Sequence, residues 1–228
     1  MKLTLIGTKQ LEGDVRTFVF ASDTPRTWVA GQFLRIILPH DDEDDRGHKR
    51  WFTISAAPSD GHMAISTRIV SDRPSSFKQA LASLPLGTTV EAEEPEGDFI
   101  LEDKNRNYIF VAGGIGITPF HSIIREAAFQ KEMPKITLLY AYGTADVAFK
   151  QELEDIKEKF PNLRIEYILS PARIDKDLLQ KTIASIGNPF VYVSGPEPMV
   201  EAFEKTLAEI GLAKDSIKTD FFPGYEAF

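Results

Sequence analysis

Short runs in the first hundred residues alternate apolar with polar positions. They are Val15-Arg-Thr-Phe-Val-Phe20, Phe33-Leu-Arg-Ile-Ile-Leu38, Trp51-Phe-Thr-Ile-Ser55, Met63-Ala-Ile-Ser-Thr-Arg-Ile69 and Thr88-Thr-Val-Glu-Ala92. A period of two is the mark of a half-buried strand, because successive side chains point to opposite faces. Met1-Lys-Leu-Thr-Leu-Ile-Gly7 reads as a strand before them. Turn signals at Gly13-Asp14, Ala30-Gly31, Ser59-Asp-Gly61 and Leu86-Gly87 separate the runs. One helix, roughly Ser75 to Leu84, carries Phe77, Ala80, Leu81 and Leu84 on a single face. Short strands at this spacing predict an antiparallel barrel or sandwich.

The pattern changes after the polar stretch Glu102-Asp-Lys-Asn-Arg-Asn107. Strands are expected at Tyr108–Ala112, Ile136–Tyr142, Leu163–Leu169, Phe190–Val193 and Ile217–Phe222. Helices are expected between them at Pro119–Lys131, Ala148–Phe160, Lys176–Ser185 and Pro198–Ile210. Strands alternating with helices imply a parallel sheet covered on both faces. Two domains follow: an antiparallel β-barrel over 1–103 and an α/β Rossmann-like domain over 104–228.

Composition narrows the chemistry. The 228 residues include no cysteine, so disulfides, thiolate zinc and Cys-ligated iron–sulfur clusters are excluded. Redox chemistry would need an organic cofactor or a metal on other ligands. A net charge of −8 argues against general nucleic-acid binding. No apolar run approaches the roughly 20 residues that span a bilayer, and no leader core is read at the N-terminus, so a cytoplasmic location is expected. The run Asp41-Asp-Glu-Asp-Asp45 reads as a solvated hairpin loop, with a hard-cation site as the alternative. It lacks the ligand spacing of a calcium loop, so no metal site is assigned.

Three segments carry candidate chemistry. In Tyr108-Ile-Phe-Val-Ala-Gly-Gly-Ile-Gly-Ile-Thr-Pro-Phe120 an apolar strand meets three glycines, then a Thr-Pro pair opening a helix. Glycines here would let main-chain N–H groups approach a phosphate at a helix N-terminus, with Pro119 at the first helical position. A tight strand–helix turn without ligand is the competing reading. Val191-Tyr-Val-Ser-Gly-Pro-Glu-Pro-Met199 is a second such turn, expected to face the same crevice. In Arg50-Trp-Phe-Thr-Ile-Ser55, alternation places Arg50, Phe52 and Ile54 on one face and Trp51, Thr53 and Ser55 on the other. Cation, aromatic and hydroxyl groups there suit a pyrophosphate, a ring and a heterocycle. An amphipathic strand with one surface arginine fits as well.

Taken in this order, Arg50-x-Phe52-Thr53-x-Ser55, Gly113-Gly-Ile-Gly-Ile-Thr-Pro119 and Ser194-Gly-Pro196 resemble the ferredoxin–NADP reductase superfamily of flavoproteins. Pro95-Glu-Gly-Asp-Phe99 and an aromatic-rich C-terminus add to the resemblance, which covers nearly the whole chain. It implies an FAD-dependent NAD(P)H reductase whose flavin receives hydride and feeds a separate one-electron acceptor, protein or small molecule. An electron-transfer subunit of a larger complex and a flavin-free nucleotide-binding regulator are the alternatives. The resemblance also implies site residues. Arg50 would neutralise the FAD pyrophosphate, Phe52, flanked by Trp51, would pack on the isoalloxazine, and Thr53 would hydrogen-bond near flavin N5. Thr67, Arg68 and Ile69 would run along the cofactor, and Ser75 and Ser76 would meet its pyrophosphate. Gly113, Gly114, Gly116 and Thr118 would hold the NADH or NADPH pyrophosphate, with Ser194, Gly195 and Pro196 beside the nicotinamide. Ser194 stands where many members have Cys. Tyr225 or Phe228 would cover the flavin face. Tyr140-Ala-Tyr-Gly-Thr144 lacks the basic residue expected near the adenosine ribose, which favours NADH, with Arg173 as the alternative source of charge. Lys49, Arg46 and Arg73 would form a small basic rim for an acceptor.

Overall fold

The computed structural model describes residues 1–25, 27–70, 75–143 and 147–222, with Phe222 given by its backbone alone. Six antiparallel strands form the first sheet: β1 (Lys2–Gln10), β2 (Val15–Ser22), β3 (Phe33–Ile37), β4 (Lys49–Thr53), β5 (Met63–Arg68) and β6 (Thr89–Ala92). They are ordered β4-β3-β6-β1-β2-β5. The edges meet where Ile54 bridges Ile65 and the Ser55 amide donates to the Ala64 carbonyl at 2.8 Å, closing a barrel. Alternation sends Leu3, Leu5, Phe18, Phe20, Leu34 and Ile36 inward, all fully buried. Each such side chain contributes about 1.5–3 kcal/mol, so these positions fix the register. The helix α1 (Ser76–Ser83) plugs one side of the barrel with buried Phe77 and Leu81, its N-terminus capped by the Ser75 hydroxyl, which accepts from the Lys78 amide.

The second sheet is parallel, in the order β11-β10-β7-β8-β9. Its strands are β7 (Asn107–Gly113), β8 (Lys135–Tyr142), β9 (Leu163–Leu169), β10 (Phe190–Pro196) and β11 (Ile217–Phe222). Tyr108, Phe110, Leu138 and Tyr140 face α2 (Ile117–Gln130) and α3 (Lys150–Lys159). Ile109, Val111, Leu139, Val191 and Val193 face α4 (Lys176–Ile186) and α5 (Glu197–Ile210). The sheet is thus covered on both sides, as the alternating pattern predicts.

Two helix starts lie two residues from those the sequence predicts. The helix α2 begins at Ile117, so Pro119 is its third residue and not its first. Proline is tolerated there because the first four helical N–H groups lack intrahelical partners anyway. The helix α3 begins at Lys150, two residues late, because Phe149 takes a left-handed φ of 62°.

One apolar cluster joins the two sheets: Val15, Ala30 and Phe99 pack with Phe110, Phe120 and Ile123. Gly31, at φ 100°, lies so close to Phe99 that a Cβ would sit 2.1 Å from its carbonyl oxygen. Glycine is required there by the packing of two barrel segments, and Ile123 Cδ1 of the second domain would also lie 3.1 Å from that Cβ.

Candidate functional site

The two glycine-bearing turns meet at the carboxyl ends of the neighbouring parallel strands β7 and β10, where Ser194 pairs with Ala112. A Cβ on Gly116 would lie 2.2 Å from the Ser194 carbonyl oxygen, and one on Gly113 would lie 2.4 Å from Met199 Sδ. Gly116 is therefore needed for the turns to pack against each other, a reason the sequence alone does not reveal, whereas at Gly113 the flexible end of Met199 would have to give way. Gly114 is the one at positive φ, 53°. It opens a single 3-10 turn, Gly114–Gly116, before α2. The Ile117 amide returns to the Gly114 and Ile115 carbonyls, and Thr118 Oγ1 donates to the Ile115 carbonyl at 3.0 Å. With Pro119 lacking an N–H, the helix start offers fewer free donors than the sequence suggests.

Two cavities flank this junction. One, of about 350 Å³, is lined by Gly113, Pro196, Tyr142, Ile174, Phe203 and Arg173 among others. The other, of about 440 Å³, lies between the domains, with Asp14 and Arg68 on the barrel side and Gly114, Ile115, Tyr140 and Tyr142 opposite. Arg68 is engaged there by Asp14, with Nε 3.0 Å from each carboxylate oxygen. Thr67 beside it is buried, and the Ile69 amide donates to the Asp14 carbonyl at 2.8 Å.

Ser194 is fully buried, and its hydroxyl lies 3.4 Å from Asp220 Oδ2 on the paired strand β11. Burial pushes the Asp220 carboxyl up to about 7, against the Ser194 hydrogen bond and with help from the Asp98 carboxylate. Nothing in the sequence around Asp220 singles it out; only its register opposite Ser194 brings it to notice. Gly195 and Pro196 continue β10 beside it.

On the barrel, Trp51 is exposed and packs edge-on against Phe33 at 5.1 Å, with the Arg35 guanidinium over its ring. Phe52 is nearly buried, 5.9 Å from the Phe77 ring. Past Phe52 the alternation ends: Thr53, Ile54 and Ser55 are all buried, with Ile54 in the barrel core and the Ser55 hydroxyl turned to β5. The Ser55 hydroxyl joins Ser66 at 2.9 Å and the Ala64 carbonyl at 3.2 Å, at the barrel's closing seam. Its carbonyl faces His121 Nδ1 of α2 at 2.8 Å, so the end of the Arg50–Ser55 strand is tied to the helix that follows the glycine turn. Neither His121 nor this tie is legible in the sequence.

Arg50 is largely enclosed. Its Nη1 donates to the carbonyls of Arg46 and Gly47 at 2.7 Å and of Lys49 at 2.8 Å, and its Nη2 to Asp44 Oδ1 at 2.5 Å. Its Nε is buried without a partner among the described residues. An orphan charged donor suits an oxyanion, so the site fits the diphosphate of a flavin dinucleotide. Ser75 caps α1 nearby, and Ser76 Oγ accepts from the Asp44 amide at 3.0 Å and meets His40 Nε2 at 2.9 Å. Asp44 itself stays below the usual carboxylate range: burial opposes this, but the Arg46 amide and the Arg50 guanidinium outweigh it. The acidic run is thus a loop docked on its own strand, and the described residues contain no cluster able to hold a metal. Lys49 and Arg46 are each near a carboxylate, Glu93 at 3.8 Å and Asp44 at 3.7 Å. Arg73, Tyr225 and Phe228 lie outside the described residues. No helix is long and apolar enough to cross a membrane among those described.

Residues 110–205 match the oxidoreductase NAD-binding domain family. Flavohemoprotein B of Dictyostelium discoideum is 26% identical over 220 residues, covering 86% of this chain and 52% of that protein. The chain spans about half the length of the curated flavohemoproteins it matches. In structure it is similar to Amycolatopsis cytochrome P450 reductase GcoB, with a TM-score of 0.82 at 22% identity over 97% of this chain and 70% of that one. Ferredoxin–NADP+ reductase from Plasmodium falciparum gives 0.79 at 17% identity over 97% and 95%. A closed antiparallel barrel with a parallel sheet behind it gives this chain the fold of these reductases, and its second domain carries the match to the oxidoreductase NAD-binding family.

Proposed function

We propose that the chain is an FAD-dependent NAD(P)H oxidoreductase that delivers electrons to a separate acceptor. The observation that carries this reading is the junction itself: two strand-end turns packed so closely that Gly116 cannot carry a Cβ, tied through His121 to the strand bearing Arg50 and Thr53.

The barrel, over 1–103, takes the FAD, and the α/β domain, over 104–228, takes the nicotinamide dinucleotide. Bound flavin would supply hydride acceptance at N5 and release of electrons one at a time. The protein's residues bind, orient and shield. Arg50 would offer charge to the flavin diphosphate, and the Thr53 hydroxyl would hydrogen-bond the flavin ring. Gly113, Gly114, Gly116 and Thr118 hold the nicotinamide dinucleotide near Ser194, Gly195 and Pro196. Thr53 and Ser194 are both buried, so each hydroxyl is held away from bulk water. Ser194 and Asp220 hold a proton at the paired ends of β10 and β11, where an uncharged carboxyl can donate as well as accept. Orientation of this kind accounts for most of what a protein adds to cofactor chemistry.

The acceptor is proposed to be a separate one-electron carrier: a ferredoxin, flavodoxin, haem protein or ferric complex. The relatives fit this, since cytochrome P450 reductase and ferredoxin–NADP+ reductase are named for such acceptors.

Purified chain mixed with FAD should quench flavin fluorescence and then turn over NADH or NADPH with ferricyanide. A protein that leaves flavin fluorescence unchanged at micromolar concentration would sink the reading.

A further inference from the structure

We propose that Asp44 is an internal anion that closes the diphosphate seat at Arg50, so that an anionic ligand enters by displacing it. This rests on the reading that Arg50 receives the diphosphate of FAD.

Four acceptors surround the Arg50 guanidinium. Three are main-chain carbonyls, all on Nη1, and these orient the guanidinium without neutralising it. Asp44 is the one anionic partner among the described residues, and it engages only Nη2. The neighbouring Nε has no partner among those residues, although the side chain is only 13% exposed. Nε and Nη2 together form the side-on edge of a guanidinium, the edge that grips two oxygens of one oxyanion. A single carboxylate oxygen fills half of that edge, and a phosphate would fill all of it.

The loop is built to let Asp44 go. Arg50 would stay oriented by the three carbonyls if the carboxylate left. The Asp44 amide is anchored separately, donating to Ser76 Oγ at the start of α1, and the Gly47 amide closes the turn on the Asp44 carbonyl at 2.7 Å. The side chain could therefore turn away, giving up the Arg46 amide at 3.0 Å as well as Arg50, while the backbone stays docked. Asp41, Asp42, Glu43 and Asp45 flank it, so a diphosphate brought beside an unmoved Asp44 would meet like charge. Displacement exchanges one negative charge for two at Arg50 and relieves that repulsion.

The test uses the full chain with two probes, FAD followed by flavin fluorescence and inorganic pyrophosphate followed by calorimetry. Asp44→Asn should bind both about fivefold more tightly at low salt, as expected for loss of one partly screened charge contact. The gain should vanish in an Arg50→Gln background, and Asp44→Ser should reproduce it if the Asn variant folds poorly. Equal or weaker binding of both probes by Asp44→Asn and Asp44→Ser would overturn the proposal and make Asp44 a positioning residue for Arg50. If FAD fails to bind any variant while pyrophosphate still binds Asp44→Asn more tightly, the flavin reading falls and the anion gate stands.

Discussion

His121 and Ser55 join the two domains at the point where the chemistry is proposed: the ring Nδ1 of one lies 2.8 Å from the carbonyl oxygen of the other. The second ring nitrogen, Nε2, lies 2.9 Å from Glu152 Oε2, and Phe149 stacks on the ring at 3.8 Å. Arg125 extends the tie, with Nε 2.8 Å from Glu152 and both terminal nitrogens 2.7 Å from the Asp60 carboxylate. Two helices of the second domain, α2 and α3, and the segment after β4 are thus held by one histidine. Replacing it with alanine leaves the Ser55 carbonyl and the stacking face of Phe149 without partners. We expect His121→Ala to lose about 2 kcal/mol in urea unfolding, with a raised KM for the nicotinamide. An unchanged midpoint would show that the tie contributes nothing.

The same network sets a pH limit. The hydrogen bond from His121 draws the Glu152 carboxyl from its ordinary 4.5 down to about 2. A depressed folded-state value means that Glu152 stabilises the fold fully above about 4.5, and that this is lost as pH falls through 4.5 toward 2. Its side chain is 42% exposed, so solvent screening leaves only about 1 kcal/mol. Melting temperature measured between pH 5 and pH 3 should fall more steeply for wild type than for Glu152→Gln. Parallel curves would remove Glu152 from the account.

Asp220 behaves in the opposite sense. Its folded value of about 7 lies above the ordinary 3.8, so the folded state holds its proton more tightly than the unfolded chain does. Its contribution favours the fold at low pH and is lost as pH rises from about 4 to 7. Asp220→Asn removes that slope, and the variant should be the more stable protein at pH 8. In the proposed reductase its kcat/KM profile should also lose an inflection near 7 while Ser194→Ala keeps one. An inflection that persists in Asp220→Asn assigns the titration to another group.

The alternation of the first hundred residues and the strand–helix alternation after Asn107 make both sheets legible, because burial of one strand face or two leaves a direct periodic trace. The glycine turns are legible for a different reason, since their residue types are scarce elsewhere in strands and helices. What stays hidden depends on distance in space. Asp44 reads as one acid in a solvated run, and only the fold of its loop brings it onto Arg50. His121 follows Phe120 in an apolar helix start and looks like core. Asp220 becomes interesting only through its register with Ser194. Gly113 and Gly116 read as phosphate-facing in the sequence, and the structure adds a packing reason at Gly116, where a Cβ would meet the Ser194 carbonyl.

The choice between nicotinamide dinucleotides turns on Arg173. The sequence favours NADH because Tyr140–Thr144 carries no basic residue. The cavity beside Gly113 and Pro196 is lined instead by cations from the segment after β9, Arg173 and Lys176, together with Ser170. Lys176 is drawn off by Glu209 at 2.7 Å, and the Asp175 carboxylate caps α4 through the Leu178 amide at 2.8 Å. Arg173 is left with no ion pair among the described residues. The apolar walls Ile168, Ile174 and Phe203 suit an adenine, so a dinucleotide with its phosphates at the glycine turn would bring its ribose to Arg173. A 2′-phosphate there gains a charge-assisted hydrogen bond of about 1.5 kcal/mol, roughly tenfold in affinity. We therefore expect the KM for NADPH to be no higher than that for NADH. Arg173→Ala should raise the NADPH value about tenfold and leave the NADH value within about twofold. Equal losses for both substrates would place Arg173 against the diphosphate or adenine they share. No loss for either would return the preference to NADH, as the loop after β8 suggests.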